Sequence, residues 1–268
     1  MTKNDIEKLN NIDCFVFDLD GTIYIDRMLI DGAKETIDCL REKGKKVIFL
    51  TNNSSVSAKY YVKKINDIGI YCDEKEVYTS GNATVRFLKL NYPNQSVYLV
   101  GTKELEKEFV EGGIKLTEEC PDVVCLAYDK ELTYQKLVLL TRYLHMGAKF
   151  IATHPDINCP AKPFYEPDVG AMLEMIEKST GRRPEAICGK PYRPIAEGVS
   201  EACGLPLEKL AMVGDRMYTD IRFGLLNGML SVLVLTGETT KEDLEKSDII
   251  PDVVLNSVAD IKTALEKE

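Results

Sequence analysis

Short apolar runs rich in β-branched and aromatic residues alternate with longer amphipathic stretches along this chain, and at four places the run stops at a charged or hydrogen-bonding side chain. Cys14-Phe15-Val16-Phe17 ends at Asp18-Leu19-Asp20-Gly21-Thr22, and Val47-Ile48-Phe49-Leu50 ends at Thr51-Asn52-Asn53-Ser54. Ala186-Ile187-Cys188 runs into Gly189-Lys190-Pro191, and Ala211-Met212-Val213 into Gly214-Asp215. Such alternation dictates an α/β fold with a mainly parallel sheet and crossover helices. In an open parallel sheet the carboxyl ends of the strands gather along one edge, which is where ligands bind.

The pattern predicts strands over Cys14–Asp18, Lys46–Leu50, Ser96–Val100, Asp122–Ala127, Lys149–Ala152, Ala186–Cys188, Leu210–Val213, Ser231–Leu235 and Asp252–Leu255. Helices fill most of the gaps. The clearest spans Gly32 to Lys43 and is closed by Gly44 at the usual stop position; another starts near Thr219 and runs to Leu226. At 268 residues the chain is longer than one ordinary compact domain. The four strand ends flank a stretch with its own strands, helices and apolar content. This predicts a discontinuous core of residues 1–80 and 186–268 with an inserted domain over 81–185.

Hydrophobic residues make up 44% and charged residues 29%, as in a soluble globular enzyme, and no stretch approaches the roughly 20 apolar residues of a membrane helix. A net charge of −9 excludes a nucleic-acid surface, which needs clustered Lys and Arg. The polar, acidic start carries no export signal, so a cytoplasmic location is expected. Eight cysteines without a Cys-x-x-Cys pair read as reduced core residues. The only histidines, His145 and His154, do not stand at ligand spacing from any of them, which disfavours zinc. His145, on a predicted helix, reads as structural.

Two acids ending one buried strand repel unless a cation offsets them, and Mg²⁺ with a phosphate group is the natural candidate. Asp18 is placed to face a phosphorus atom, and Asp20, at the turn, to reach the leaving oxygen. An acidic turn with Asp-Gly is the plainer alternative. Thr51 and the Asn52 side chain, with donors from the Asn53 turn, are neutral phosphate ligands, although Thr-Asn-Asn-Ser is also a good helix-capping loop. Lys190 delivers one positive charge at a strand end, or is a surface lysine in a turn. Asp215 is placed to ligate a metal, and Asp18, Asp20 and Asp215 would satisfy the few carboxylates Mg²⁺ takes. Asp220 either anchors a water or Lys190 behind them or is a helix-start acid.

The ordered set Asp18-Leu19-Asp20-Gly21-Thr22, Thr51-Asn52-Asn53, Lys190 and Gly214-Asp215 to Asp220 resembles the haloacid dehalogenase-like hydrolase superfamily. Phe49 to Ser54, Thr79-Ser80-Gly81, Ala152-Thr153-His154-Pro155-Asp156 and Leu233 to Gly237 narrow the resemblance to the para-nitrophenylphosphatase and N-acetylglucosamine-operon phosphatase branch. That likeness implies a Rossmann-like doubly wound core with a large inserted α/β cap. It implies a Mg²⁺-dependent phosphatase of small phosphorylated metabolites. Asp18 would be the nucleophile and Asp20 the general acid and base, with metal held by the Asp18 side chain, the Asp20 carbonyl and Asp215. The cap loop Thr153 to Asn158 is nominated to read the leaving group through His154, Asp156 and Asn158, although His154 reads equally as solvent-exposed. A phospho-acceptor or phosphorylated-ligand binding protein without efficient turnover is the competing class. Self-association into a homo-oligomer is allowed by the sequence and not required by it.

Overall fold

The structure, a computed structural model, describes residues 1–161 and 164–267. The chain divides into two compact units, one made of Met1–Thr51, Lys59–Tyr78 and Pro191–Glu268, the other of Asn52–Ala58 and Thr79–Lys190. Three segments read from the sequence as core belong instead to the second unit: Asn52–Ala58, residues 79–80 and residues 186–190, the last carrying Lys190. Hydrogen bonds explain the first. Ser54 Oγ lies 3.0 Å from Thr153 Oγ1 and accepts from the Tyr128 N–H at 3.0 Å, while the Thr102 hydroxyl donates to the Ser55 carbonyl at 2.9 Å.

The sheet of the first unit has the order Val253–Leu255, Leu230–Val234, Leu210–Gly214, Cys14–Phe17, Lys46–Thr51, Val77–Thr79. Neighbours from Val253–Leu255 through Lys46–Thr51 all run parallel. Cys14 to Phe17 and Leu210 to Gly214 are buried at every position. This continuous burial is why those segments lack polar alternation: a parallel strand covered on both faces has no solvated side. The predicted first helix forms over Ala33–Glu42, between Gly32 and Gly44, which both take left-handed φ (78° and 73°). Between the first strand and that helix stands a small antiparallel hairpin, Tyr24–Ile25 with Met28–Leu29, whose turn holds Asp26 at φ 59°.

Within the second unit a parallel sheet runs in the order Ala186–Ile187, Lys149–Ala152, Val123–Leu126, Ser96–Val100, Lys115–Leu116. Its core joins Val100, Leu126, Phe150 and Ala152 of the strands to Leu140 and Leu144 of the Tyr134–His145 helix and Ile176 of the Val169–Thr180 helix. Threonines cap several helices by accepting from a backbone N–H three residues on, Thr102 for Lys103–Glu111 and Thr133 for Tyr134–His145 among them. His145 is exposed in the last turn of its helix, so its place is not in the core.

All eight cysteines are unpaired. Six are buried as expected, but Cys120 is exposed and Cys159 half-buried. Among the described residues no helix is long and apolar enough to cross a membrane.

Candidate active site

Strand register builds the site. Phe17 pairs with Phe49 on one side and Val213 on the other, so Asp18 emerges level with Leu50 and Gly214 at the carboxyl edge of the sheet. The Asp18 N–H continues the ladder by donating to Val213 O at 2.9 Å. Ligand atoms of Asp18, Asp215 and Asp220 all lie within 4.8 Å of one another. Asp220 reaches this cluster because the helix expected from Thr219 opens instead as a π-turn over Met217–Ile221, with α-helix only from Arg222 to Asn227. That wide turn folds the Asp220 side chain back against Gly214, where any Cβ would collide with it, and brings Asp220 Oδ2 3.2 Å from the donating Arg216 N–H. π-turns inserted in helices often mark functional sites.

Asp215 sits in a cradle that only glycines permit. A Cβ on Gly21, which holds φ 88°, would stand 2.5 Å from Asp215 Oδ2, and one on Gly237 would collide with the same oxygen. Gly21 thus makes room for an acid of its own chain. Asp215 Oδ2 accepts from Glu238 N–H at 2.6 Å, and Oδ1 accepts from the Thr22 hydroxyl at 3.3 Å. Thr22, Gly237 and Glu238 were not singled out as site residues by motif reading; the Thr236-Gly237 pair was visible only as part of the family likeness. Arg216 Nε lies 3.0 Å from Glu238 Oε2, an ion pair without hydrogen-bond alignment.

Burial, followed by the Asp220 charge, pushes Asp215 up to about 6. Three carboxylates so close, two of them buried, form a hard-oxygen site that a small divalent cation relieves, and the donor set fits Mg²⁺. A sign follows for stability. The native state holds a proton on Asp215 that the unfolded chain, with Asp near 3.9, gives up earlier, so the metal-free fold weakens as pH rises from about 4 through about 6. We expect this to cost about 3 kcal/mol in EDTA, and Mg²⁺ to raise Tm more at neutral pH than at acid pH. A metal-free Tm that climbs steadily over that interval would contradict the assignment.

Asp20 stands apart from this cluster, whose third carboxylate is Asp220. Its side chain is 51% exposed, with Lys64 Nζ 3.9 Å from Oδ1. The protein mass crowding the carboxyl still desolvates it enough to raise its pKa, against the pull of Lys64 and Arg216. Thr51 is buried at the end of its strand in the same unit.

The remaining motif residues lie in the second unit, and their geometry revises several roles. Asn52 spends its whole amide inside the protein: Nδ2 donates to Asp156 Oδ1 (2.9 Å) and Lys190 O (3.0 Å), while Oδ1 accepts the Lys190 N–H (2.7 Å). No amide hydrogen is left for a phosphoryl oxygen, so Asn52 holds the backbone of Lys190 instead. Gly189 is obligatory there, since a Cβ would come within 2.6 Å of Asn52 Oδ1 and 2.7 Å of Thr153 O. Asn53 Oδ1 closes a local turn by accepting from the Ser55 N–H and hydroxyl at 2.9 and 2.8 Å.

His154 is fully buried, which overturns its solvent-exposed reading. Its Nε2 lies 2.9 Å from Asp168 Oδ1 and its Nδ1 2.9 Å from Thr153 Oγ1. Burial disfavours the imidazolium, but the charge and hydrogen bond of Asp168, with Asp156, outweigh it and raise the pKa. His154, Asp156 and Asp168 also have ligand atoms within 4.8 Å of one another. Each, however, is engaged: Asp168 also accepts from Val169 N–H at 2.7 Å at a helix start, and Asp156 holds Asn52. Of the three side chains nominated to read the leaving group, Asn158 is exposed, and it pairs with Pro167 in a two-stranded ribbon.

A parallel sheet whose carboxyl edge carries Asp18, Asp20 and an Asp215–Asp220 pair defines a hydrolase class, and the chain belongs to the haloacid dehalogenase-like hydrolases. Residues 15–115 match that family, and residues 187–261 match its HAD-hydrolase-like companion. The acid sugar phosphatase of Staphylococcus aureus is 35% identical over 254 residues, covering 94% of this chain and 98% of that protein. The structure of a 4-nitrophenylphosphatase from Thermotoga maritima superposes with a TM-score of 0.94 at 43% identity, over 96% of this chain and 99% of that one. NagD from Escherichia coli K-12 gives a TM-score of 0.85 at 29% identity, over 92% and 97%. This chain is accordingly a phosphoric monoester hydrolase of the p-nitrophenylphosphatase and NagD branch.

Proposed function

We propose that this protein is a Mg²⁺-dependent phosphatase of small phosphomonoesters that works through an aspartyl-phosphate at Asp18. The observation that carries the reading is the convergence of Asp18, Asp215 and Asp220 at one sheet edge while Asp20, with a raised pKa, stays outside their cluster. The Asp18 carboxylate attacks phosphorus in line, a P–O bond forms as the P–O bond to the leaving group breaks, and Asp20 gives its proton to the departing oxygen. Asp20 then removes a proton from the water that attacks the acyl phosphate, returning free Asp18 and inorganic phosphate. Asp18, Asp215 and Asp220, with the Asp20 carbonyl, would hold the magnesium; bound there it neutralises charge on the phosphoryl oxygens. Thr51 contributes a hydroxyl donor to the phosphoryl group. Lys190 enters on its motif, as the cation that balances the nucleophile and the phosphoryl charge.

Relatives named acid sugar phosphatase and 4-nitrophenylphosphatase support sugar and aryl phosphates as substrates, with glycerol phosphate, phosphoglycolate and nucleoside monophosphates in the same size range. Eight unpaired cysteines support a reducing, cytoplasmic setting. Phosphate release from a panel of these esters should require added Mg²⁺ and stop with excess EDTA. Turnover that survives complete chelation would refute the metal dependence, and no release from any ester would refute the phosphatase reading.

A further inference from the structure

A cavity of about 260 Å³ in the first unit is lined by Arg27, Tyr60, Lys63, Lys64, Asp67 and Ile68. Arg27 comes from the turn of the small hairpin; most of the others come from the helix Ala58–Asp67. Three cations face one carboxylate, in a chain whose net charge is −9. That one carboxylate, Asp67, pairs with Lys63 at 2.8 Å, but both side chains are well exposed, so the pair is weak and readily exchanged for another anion. Arg27 is exposed and makes no ion pair or hydrogen bond among the described residues. Its planar fork suits a carboxylate or phosphate bidentately. Tyr60, 44% exposed, and the half-buried Ile68 add apolar wall for a short carbon stem.

Lys64 joins this cavity to the chemistry. Its Nζ lies 3.9 Å above the Tyr24 ring centroid and 3.9 Å from Asp20 Oδ1, so the cavity begins one side chain away from the acid assigned to the leaving oxygen. We propose that the cavity is a subsite for a second anionic group on the leaving part of the substrate. The preferred substrates are then phosphomonoesters whose alcohol carries a carboxylate or a further phosphate, not neutral alcohols. The inference rests on the reading of Asp20 as leaving-group acid, and it adds Arg27 and Lys63 as residues that select substrate without taking part in bond making.

The test compares kcat/KM for 3-phosphoglycerate, glycerol 3-phosphate and para-nitrophenyl phosphate, using the full-length Mg²⁺-loaded protein, its Arg27→Gln and Lys63→Gln variants and the double variant. Both positions are exposed, so the fold should be unaffected. Wild type should favour the carboxylate ester over glycerol 3-phosphate, and the double variant should lose about tenfold or more on that ester, as expected for charge-assisted contacts, with less than about twofold change on the other two. Equal changes on all three substrates, or no preference in wild type, would overturn the subsite while leaving the phosphatase standing. If wild type releases no phosphate even from para-nitrophenyl phosphate, the underlying phosphatase reading fails and the subsite falls with it.

Discussion

Replacing Asp18 by Asn should abolish steady phosphate release, with kcat falling by about 10³-fold or more, while circular dichroism and Tm stay close to wild type. The amide is nearly isosteric, and the ladder hydrogen bond from the Asp18 backbone to Val213 O is untouched, so the strand end keeps its geometry. What disappears is the oxygen proposed as nucleophile, together with one of the three carboxylates in the cluster of Asp18, Asp215 and Asp220. Losing that charge weakens metal binding too, so the measurement belongs at saturating Mg²⁺, where the chemical defect stands alone. A variant that keeps more than a few per cent of wild-type turnover under those conditions removes Asp18 as the nucleophile.

Asp20→Asn should separate substrates by their leaving groups. A general acid contributes about 10²–10⁴-fold when the departing oxygen needs a proton, and far less when it leaves as a stabilised aryloxide. Alkyl phosphates should therefore lose at least about a hundredfold in kcat and para-nitrophenyl phosphate roughly tenfold or less. Desolvation by the surrounding protein raises the Asp20 pKa above its ordinary value, so the proton it is proposed to donate is retained to higher pH than a free carboxyl would allow. Should alkyl and aryl esters suffer equally, Asp20 acts on something other than the leaving oxygen, and its contact with Lys64 becomes the place to look.

The sheet, the family and the acids at its strand ends were legible because each signal is local. An apolar run followed directly by Asp18, Thr51 or Asp215 announces a buried strand and its functional end within a handful of residues. Roles set by distant partners were not legible. Asn52 reads as a phosphate donor until its amide is seen bonded to Asp156 and Lys190, partners 104 and 138 positions away. His154 looked exposed because its loop is polar and Pro-rich, whereas Asp168, 14 positions on, provides the buried counter-charge. Asp220 joins the acidic cluster through a π-turn, which no periodicity in Met217–Ile221 advertises. The Lys103–Glu111 helix was readable in principle, with Thr102 as cap and Leu105 and Phe109 one turn apart as its buried face.

The first unit is written in three pieces, and this sets the order in which a growing chain can assemble. Cys14–Phe17 finds one neighbour, Lys46–Thr51, early, but its other edge stays bare until Leu210–Gly214 has left the ribosome. Meanwhile Thr79–Lys190 emerges whole and has every strand of its own sheet to hand. A half-built sheet with an open edge is the species most prone to aggregate, so the vulnerable interval in the life of this protein is its synthesis. Asp18 is made near the beginning and Asp215 and Asp220 near the end, so the acidic cluster they form is among the last features the chain acquires.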